Sequence, residues 1–104
     1  MRDYIKDIEA EVIFWAHEKG LLKKDNSKAQ VCKMIEEVGE VAKEVLQGTR
    51  DGLANEIGDV MVTAIILAAQ NDLNAMECLG MAINKIKKRT GQMVNGTFIK
   101  DDPC

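Results

Sequence analysis

Proline is nearly missing from this chain: the only one is Pro103, so nothing ahead of the extreme C-terminus forces a helix to break. Histidine occurs once, at His17, and the three cysteines, Cys32, Cys78 and Cys104, contain no Cys-x-x-Cys pair. That shortage argues against a zinc site or a disulfide framework. Cys32 and Cys78 are expected as small core residues and Cys104 as a free terminal thiol. Positive charge is not in excess either, since the net charge is -3 and the pI about 5.1, which disfavours a general nucleic-acid or anionic-membrane surface. No stretch approaches the roughly 18 uninterrupted apolar residues of a membrane span, and MRDYIKDIEAEV lacks the apolar centre of a signal peptide. The expected location is the cytoplasm.

What is present is 104 residues with 46% hydrophobic and 30% charged side chains, enough for one small globular domain spanning 1–104. Glycine and Asn/Asp clusters cut it into four helical segments, at about 2–18, 27–47, 52–70 and 74–89, followed by a tail over 90–104. Ile5, Ile8, Val12, Trp15 and Ala16 recur at helical spacing in the first. Ser27 with Gln30 resembles a capping box at the start of the second, and Gly48 ends it. Asn74 with Glu77 marks the start of the fourth. This last helix ends in KIKKR, cations placed where the negative end of a helix dipole favours them. In QMVNGTFIK, Asn95-Gly96 between short apolar runs is a hairpin signal. The fold class is therefore all-α, an antiparallel four-helix bundle with a short C-terminal hairpin or arm.

The second segment carries Glu36, Glu37 and Glu40 within MIEEVGEVAKEVLQG, a concentration of like charge that disfavours a helix unless something compensates. Placed on a helical wheel, Val31, Met34, Ile35, Val38, Val41, Ala42 and Val45 form one stripe, with the three glutamates outside it. Alone, these are the polar face of a surface helix, shared with Lys33, Lys43 and Glu44. The third segment changes that reading. VMVTAIILAA, 60–69, is apolar nearly all round and predicts a helix buried on most sides. Yet Glu56, Asp59, Thr63 and Gln70 form a narrow strip along it. Inward carboxylates need a proton, a cation or a metal. The short QGTRDG turn lets the second helix bring Glu37 and Glu40 opposite Glu56 and Asp59. Oxygen ligands alone suit a hard ion, Mg²⁺ or Mn²⁺, and Mg²⁺ commonly shares its shell with substrate phosphates. Lys85, Lys87, Lys88 and Arg89 offer charge to such phosphates, or simply complement a helix end.

Glu-Glu-x-x-Glu at 36–40 followed by Glu-x-x-Asp at 56–59 resembles the signature of the MazG-like, all-α nucleoside triphosphate pyrophosphatase superfamily. A Trp-bearing first helix, Gly39 in EEVGE, Gly58 in EIGDV and the NKIKKRTGQMVNGTFIK tail extend the resemblance over most of the chain. It implies Mg²⁺-dependent hydrolysis of a nucleoside triphosphate to the monophosphate and pyrophosphate in nucleotide-pool housecleaning. By position, Glu37, Glu40, Glu56 and Asp59 match the metal ligands, and Glu36, Glu37 and Glu40 the catalytic carboxylates, Glu36 binding a second metal or orienting the attacking water. For the nucleotide, Trp15 is a stacking candidate, with His17 or Asn84 for polar contacts and Lys85, Lys88 or Arg89 for phosphates. Against this, Trp15 lies on an apolar stripe, which favours a core aromatic, and His17 near a helix end fits capping or solvent exposure. The six methionines read as core filler. The apolar third helix predicts a homodimer or homotetramer with helices packed across the interface. Similar relatives act on dUTP, dCTP or phosphoribosyl-ATP. An alternative from another class is a non-catalytic helical interaction protein whose acidic cluster is a solvated face or a structural metal site.

Overall fold

The computed structural model describes residues 2–101, with side chains from residue 7 onward. Pro103 and Cys104 lie outside the described residues, as does the side chain of Ile5. The chain runs α1 (Arg2–Glu18), a 3-10 turn (Lys24–Asn26), α2 (Ser27–Gln47), α3 (Arg50–Gln70), α4 (Ala75–Ile86), β1 (Gly91–Val94) and β2 (Thr97–Lys100).

The α2–α3 hairpin is the framework, and its tight turn explains where both helices stop and start. Gly48 ends α2 in extended conformation. Thr49 caps α3, its Oγ1 accepting from the Gly52 amide at 3.0 Å. Glu44 reaches over from α2, and its Oε2 accepts from the Thr49 amide at 3.2 Å. That places a carboxylate at the positive end of α3. A Cβ at Gly48 or Gly52 would run into this carboxylate, so the glycines in the turn make room for Glu44. Further along, Gln30 of α2 is buried and donates Nε2 to the Thr63 carbonyl of α3 at 3.1 Å, and Asn71 donates to Ser27 Oγ at 2.9 Å. The expected capping box is therefore corrected: Ser27 and Gln30 hold α2 against α3 and make no side-chain cap at the α2 N-terminus. Asn74 does cap α4, accepting from the Glu77 amide at 2.9 Å.

Around this hairpin the remaining helices use α3 as a hub. α1 packs on it through Ala16, which is fully buried, and Gln70 donates to the Leu21 carbonyl at 2.8 Å. α4 leans on α3 near the Asn74 cap, where Asn74 Nδ2 approaches the buried Glu9 at 3.5 Å. The four helices thus form an antiparallel pair with two flanking helices, more open than a closed bundle. α4 stops at Ile86, ahead of the expected 89, and Lys87–Arg89 form a turn into the strands.

The strands pair antiparallel, Met93 opposite Phe98 and Val94 opposite Thr97. Asn95 and Gly96 both have positive φ, 50° and 82°, the conformation a two-residue hairpin loop requires and the reason for the Asn-Gly pair. Gly91 is also required: a side chain there would collide with the β2 backbone and the Phe98 ring.

Burial is thin. Among the described residues the buried apolar side chains are Ala16, Ile65 and Ile66, all at 7% exposure or less. The stripe on α2 is largely open, with Val31, Ile35, Val38 and Val45 exposed. α3 is buried only at Thr63, Ile65, Ile66 and Gln70, not on most sides as its composition suggests. Cys32 and Cys78 are exposed, which corrects their reading as core residues: α2 and α4 contact the rest of the chain on one side each, and both cysteines fall beside the apolar positions left open. An 18-residue window of α3 has mean hydropathy 1.5, so by length and composition this helix is apolar enough to cross a membrane. The sequence hid this because Glu56 and Asp59 interrupt the run. Core helices of soluble proteins pass the same test.

Candidate metal and nucleotide site

Glu56 and Asp59 sit one turn apart on α3 and therefore share a face. Opposite them, α2 presents Glu37. One carboxylate oxygen from each of Glu37, Glu56 and Asp59 lies within 4.8 Å of the other two. Glu37 and Glu56 are half-buried and Asp59 is exposed, so the cluster has a protected floor and an open mouth.

The electrostatics show the strain of bringing these charges together. Glu56 Oε2 is buried and has no hydrogen-bond partner. Burial, the adjacent Glu37 carboxyl, and the charges of Asp59 and Glu40 all push the Glu56 pKa above its ordinary value of 4.5. An unpartnered buried carboxylate oxygen facing two further carboxylates is a donor set in need of a cation or a proton. The described residues thus fit a divalent ion held by Glu37, Glu56 and Asp59, and oxygen-only donors select a hard one.

The other expected site residues are placed differently. Glu40 is not among the three converging carboxylates: it leans toward Lys43 at 3.7 Å and is about half exposed, though close enough for its charge to act on Glu56. Glu36 is more exposed and pairs with Lys33 at 3.7 Å. Lys33 also reaches Glu37 Oε1 at 3.3 Å. Both carboxylates raise the Lys33 pKa above 10.5, Glu37 most. Lys33 is therefore part of the site's charge balance, which its place on the shared polar face signals only weakly. The available signal is spacing: a lysine three and four residues before two glutamates can bridge them on a helix.

Trp15 is 49% exposed and lines a shallow recess with Glu11, Val12 and Val62, so within this chain it is not the core aromatic its stripe favours. His17 is exposed in the last turn of α1. Asn84, Lys85 and Lys88 are exposed on or just beyond α4, and Arg89 is half-buried with Nε unpartnered. The polar strip on α3 divides by role. Thr63 and Gln70 are spent on structure, Thr63 donating to the Val60 carbonyl at 2.6 Å, whereas Glu56 and Asp59 face Glu37 in the carboxylate cluster.

Residues 26–94, which contain both acidic motifs, match the model of the MazG nucleotide pyrophosphohydrolase domain. The chain belongs to the MazG family. It is also 32% identical over 76 residues to an uncharacterised 18.2 kDa protein in the rep-hol intergenic region of Haemophilus phage HP1. That match takes in 73% of this chain and 44% of the phage protein, so the chain spans less than half of that relative. No solved structure matches significantly. The matched MazG span holds all of α2, α3 and α4 and the Glu37–Glu56–Asp59 cluster, but not α1 with Trp15 and His17.

Proposed function

We propose that this MazG protein is a divalent-metal-dependent nucleoside triphosphate pyrophosphohydrolase, converting an NTP or dNTP and water to the monophosphate and pyrophosphate. The observation that carries this reading is the convergence of Glu37, Glu56 and Asp59 with the Glu56 Oε2 left unpartnered. These three hold the ion, Mg²⁺ or Mn²⁺, with Glu40 joining by a change of rotamer away from Lys43. When bound, the ion supplies positive charge to the phosphate oxygens and acidifies water. The reaction forms one bond from water oxygen to the α-phosphorus and breaks the bond from that phosphorus to the oxygen bridging to the β-phosphorus. Pyrophosphate leaves. Glu36, solvent-accessible and outside the ion's ligand set, takes the water proton as general base. Lys85, Lys88 and Arg89 bind phosphate oxygens, and Trp15, His17 and Asn84 contact the nucleoside.

The same reading covers the rest of the molecule's biology. The enzyme acts in the cytoplasm on the nucleotide pool, with neither nucleic acid nor membrane as partner, and as a homodimer or homotetramer. The open apolar surface is the one feature that also suits a non-catalytic interaction protein. Pyrophosphate release from a panel of canonical and modified NTPs and dNTPs separates the two. We expect release with Mg²⁺ or Mn²⁺, none with chelator, and a loss of at least about 100-fold in kcat for Asp59→Asn with the helical spectrum unchanged. Absence of release from every nucleotide by folded protein would favour the interaction protein.

A further inference from the structure

The β1–β2 hairpin stands apart from the helices that precede it. Its base is closed by the Asp101 amide donating to the Thr90 carbonyl at 2.9 Å and by Thr90 Oγ1 donating to Asp101 Oδ2 at 2.8 Å. Beyond that base its strands pack on each other and on no helix to any extent. Cross-strand partners share a face, so Met93 and Phe98 form one side, and Val94 and Ile99 lie on the other. All four are exposed, and Lys100 is the one charged residue from Gly91 to Lys100. A lone two-stranded hairpin is marginal in water and gains stability when it packs against a helix.

The helices offer the complementary feature. A groove between α2 and α3, lined by Val38, Val41, Ile57, Val60 and Met61, is wholly apolar and has a volume of about 210 Å³. The hairpin of the same chain does not reach it. The accessible surface argues for a second copy as the occupant. The protomer exposes 8297 Å², whereas a compact monomer of its mass exposes about 5,800 Å². The excess, about 2,500 Å² for each protomer, is what a large obligate homodimer interface covers.

We infer that the Gly91–Lys100 hairpin is an arm that docks on a second copy of this chain, lying against the apolar α2–α3 groove while that copy's arm does the same in return. Reciprocal docking satisfies two-fold symmetry, since each copy supplies one arm and one groove. The inference rests on the homo-oligomeric reading above and adds the element that makes the contact.

Photocrosslinking of the full-length protein tests it. p-Benzoylphenylalanine is placed at position 98 or at position 99, one on each hairpin face, in a co-refolded mixture of isotopically heavy and light chains, with sedimentation measured in parallel. Expected are covalent dimers, with mixed heavy–light peptides joining the hairpin to α2 or α3. A Phe98→Asp, Met93→Asp variant should sediment as a smaller species while its helical spectrum persists. An intact oligomer whose crosslinks stay within one chain, or join hairpin to hairpin, or fail to form, overturns the arm and leaves the oligomer standing. A monomeric unmodified protein at micromolar concentration overturns both. Neither result depends on nucleotide turnover, which the pyrophosphate assay reads separately.

Discussion

Glu56 is the residue on which the site turns. Its folded-state pKa is raised above the unfolded value of 4.5 because burial and three neighbouring carboxylates disfavour its charge. For a raised carboxylate the native state binds the extra proton. Its stabilising contribution is therefore present below pH 4.5 and is lost as pH rises through the folded pKa. Metal-free protein should accordingly lose thermal stability across the interval just above pH 4.5, seen as a falling Tm on a pH series with chelator. Mg²⁺ or Mn²⁺ competes with the same proton, so apparent metal affinity should weaken as pH falls through that interval, measurable by titration calorimetry. Glu56→Gln should raise the metal-free Tm at pH 8 and abolish the metal-induced increase. In the parent protein, metal at 100 times its Kd should add about 2.7 kcal/mol. A Glu56→Gln protein that kept the full metal response would remove Glu56 from the site. That Glu37, Glu56 and Asp59 approach one another is legible in the sequence, because helical spacing fixes Glu56 and Asp59 on one face and the short turn fixes α2 opposite. The rotamer of Glu40 is not: a lysine three residues on competes for it, and spacing alone does not choose between partners.

At the scale of elements, sequence pattern locates the helices well and their ends less well. The Asn74 cap and the Asn95-Gly96 turn are legible because each needs one residue type at one backbone position. The Ser27 and Gln30 pairing misleads because the same two side chains can serve tertiary contacts to α3, and a local motif carries no information about the neighbouring helix. Thr49 goes unnoticed because the sequence places the start of the third helix at about 52, whereas the cap falls one residue ahead of Arg50. Removing that cap should cost about 1 kcal/mol of unfolding free energy in Thr49→Ala, read by urea denaturation with an unchanged m-value. Glu44→Gln should cost less, since an amide oxygen still accepts from the Thr49 amide and only the charge at the α3 N-terminus is lost. Equal losses from the two would mean that the carboxylate charge carries as much of the turn's stability as the hydroxyl cap.

For the whole molecule the governing fact is that one chain leaves too much apolar surface in water. Its radius of gyration is 15.9 Å, against about 13 Å for a compact domain of this length. Side chains as large as Phe14, Leu46, Met81 and Phe98 are at least half exposed. α3 explains why this shortfall cannot be repaired within the chain: it is the hub for α1, α2 and α4 and still buries only four of its side chains. Insertion in a bilayer would hide the apolar face of α3 but would carry Glu56 and Asp59 into hydrocarbon, at a cost of several kcal/mol. In the homo-oligomer proposed above, a second copy would hide the same face without carrying Glu56 and Asp59 into hydrocarbon. Folding and association should therefore be one process, with a Tm that climbs as protein concentration is raised from about 1 to 100 μM by mass action. Differential scanning fluorimetry on a dilution series, paired with sedimentation velocity, reads both quantities. A Tm independent of concentration, in protein that sediments as a monomer throughout, would mean that the open helical arrangement is stable alone and that its exposed apolar face serves something other than self-association.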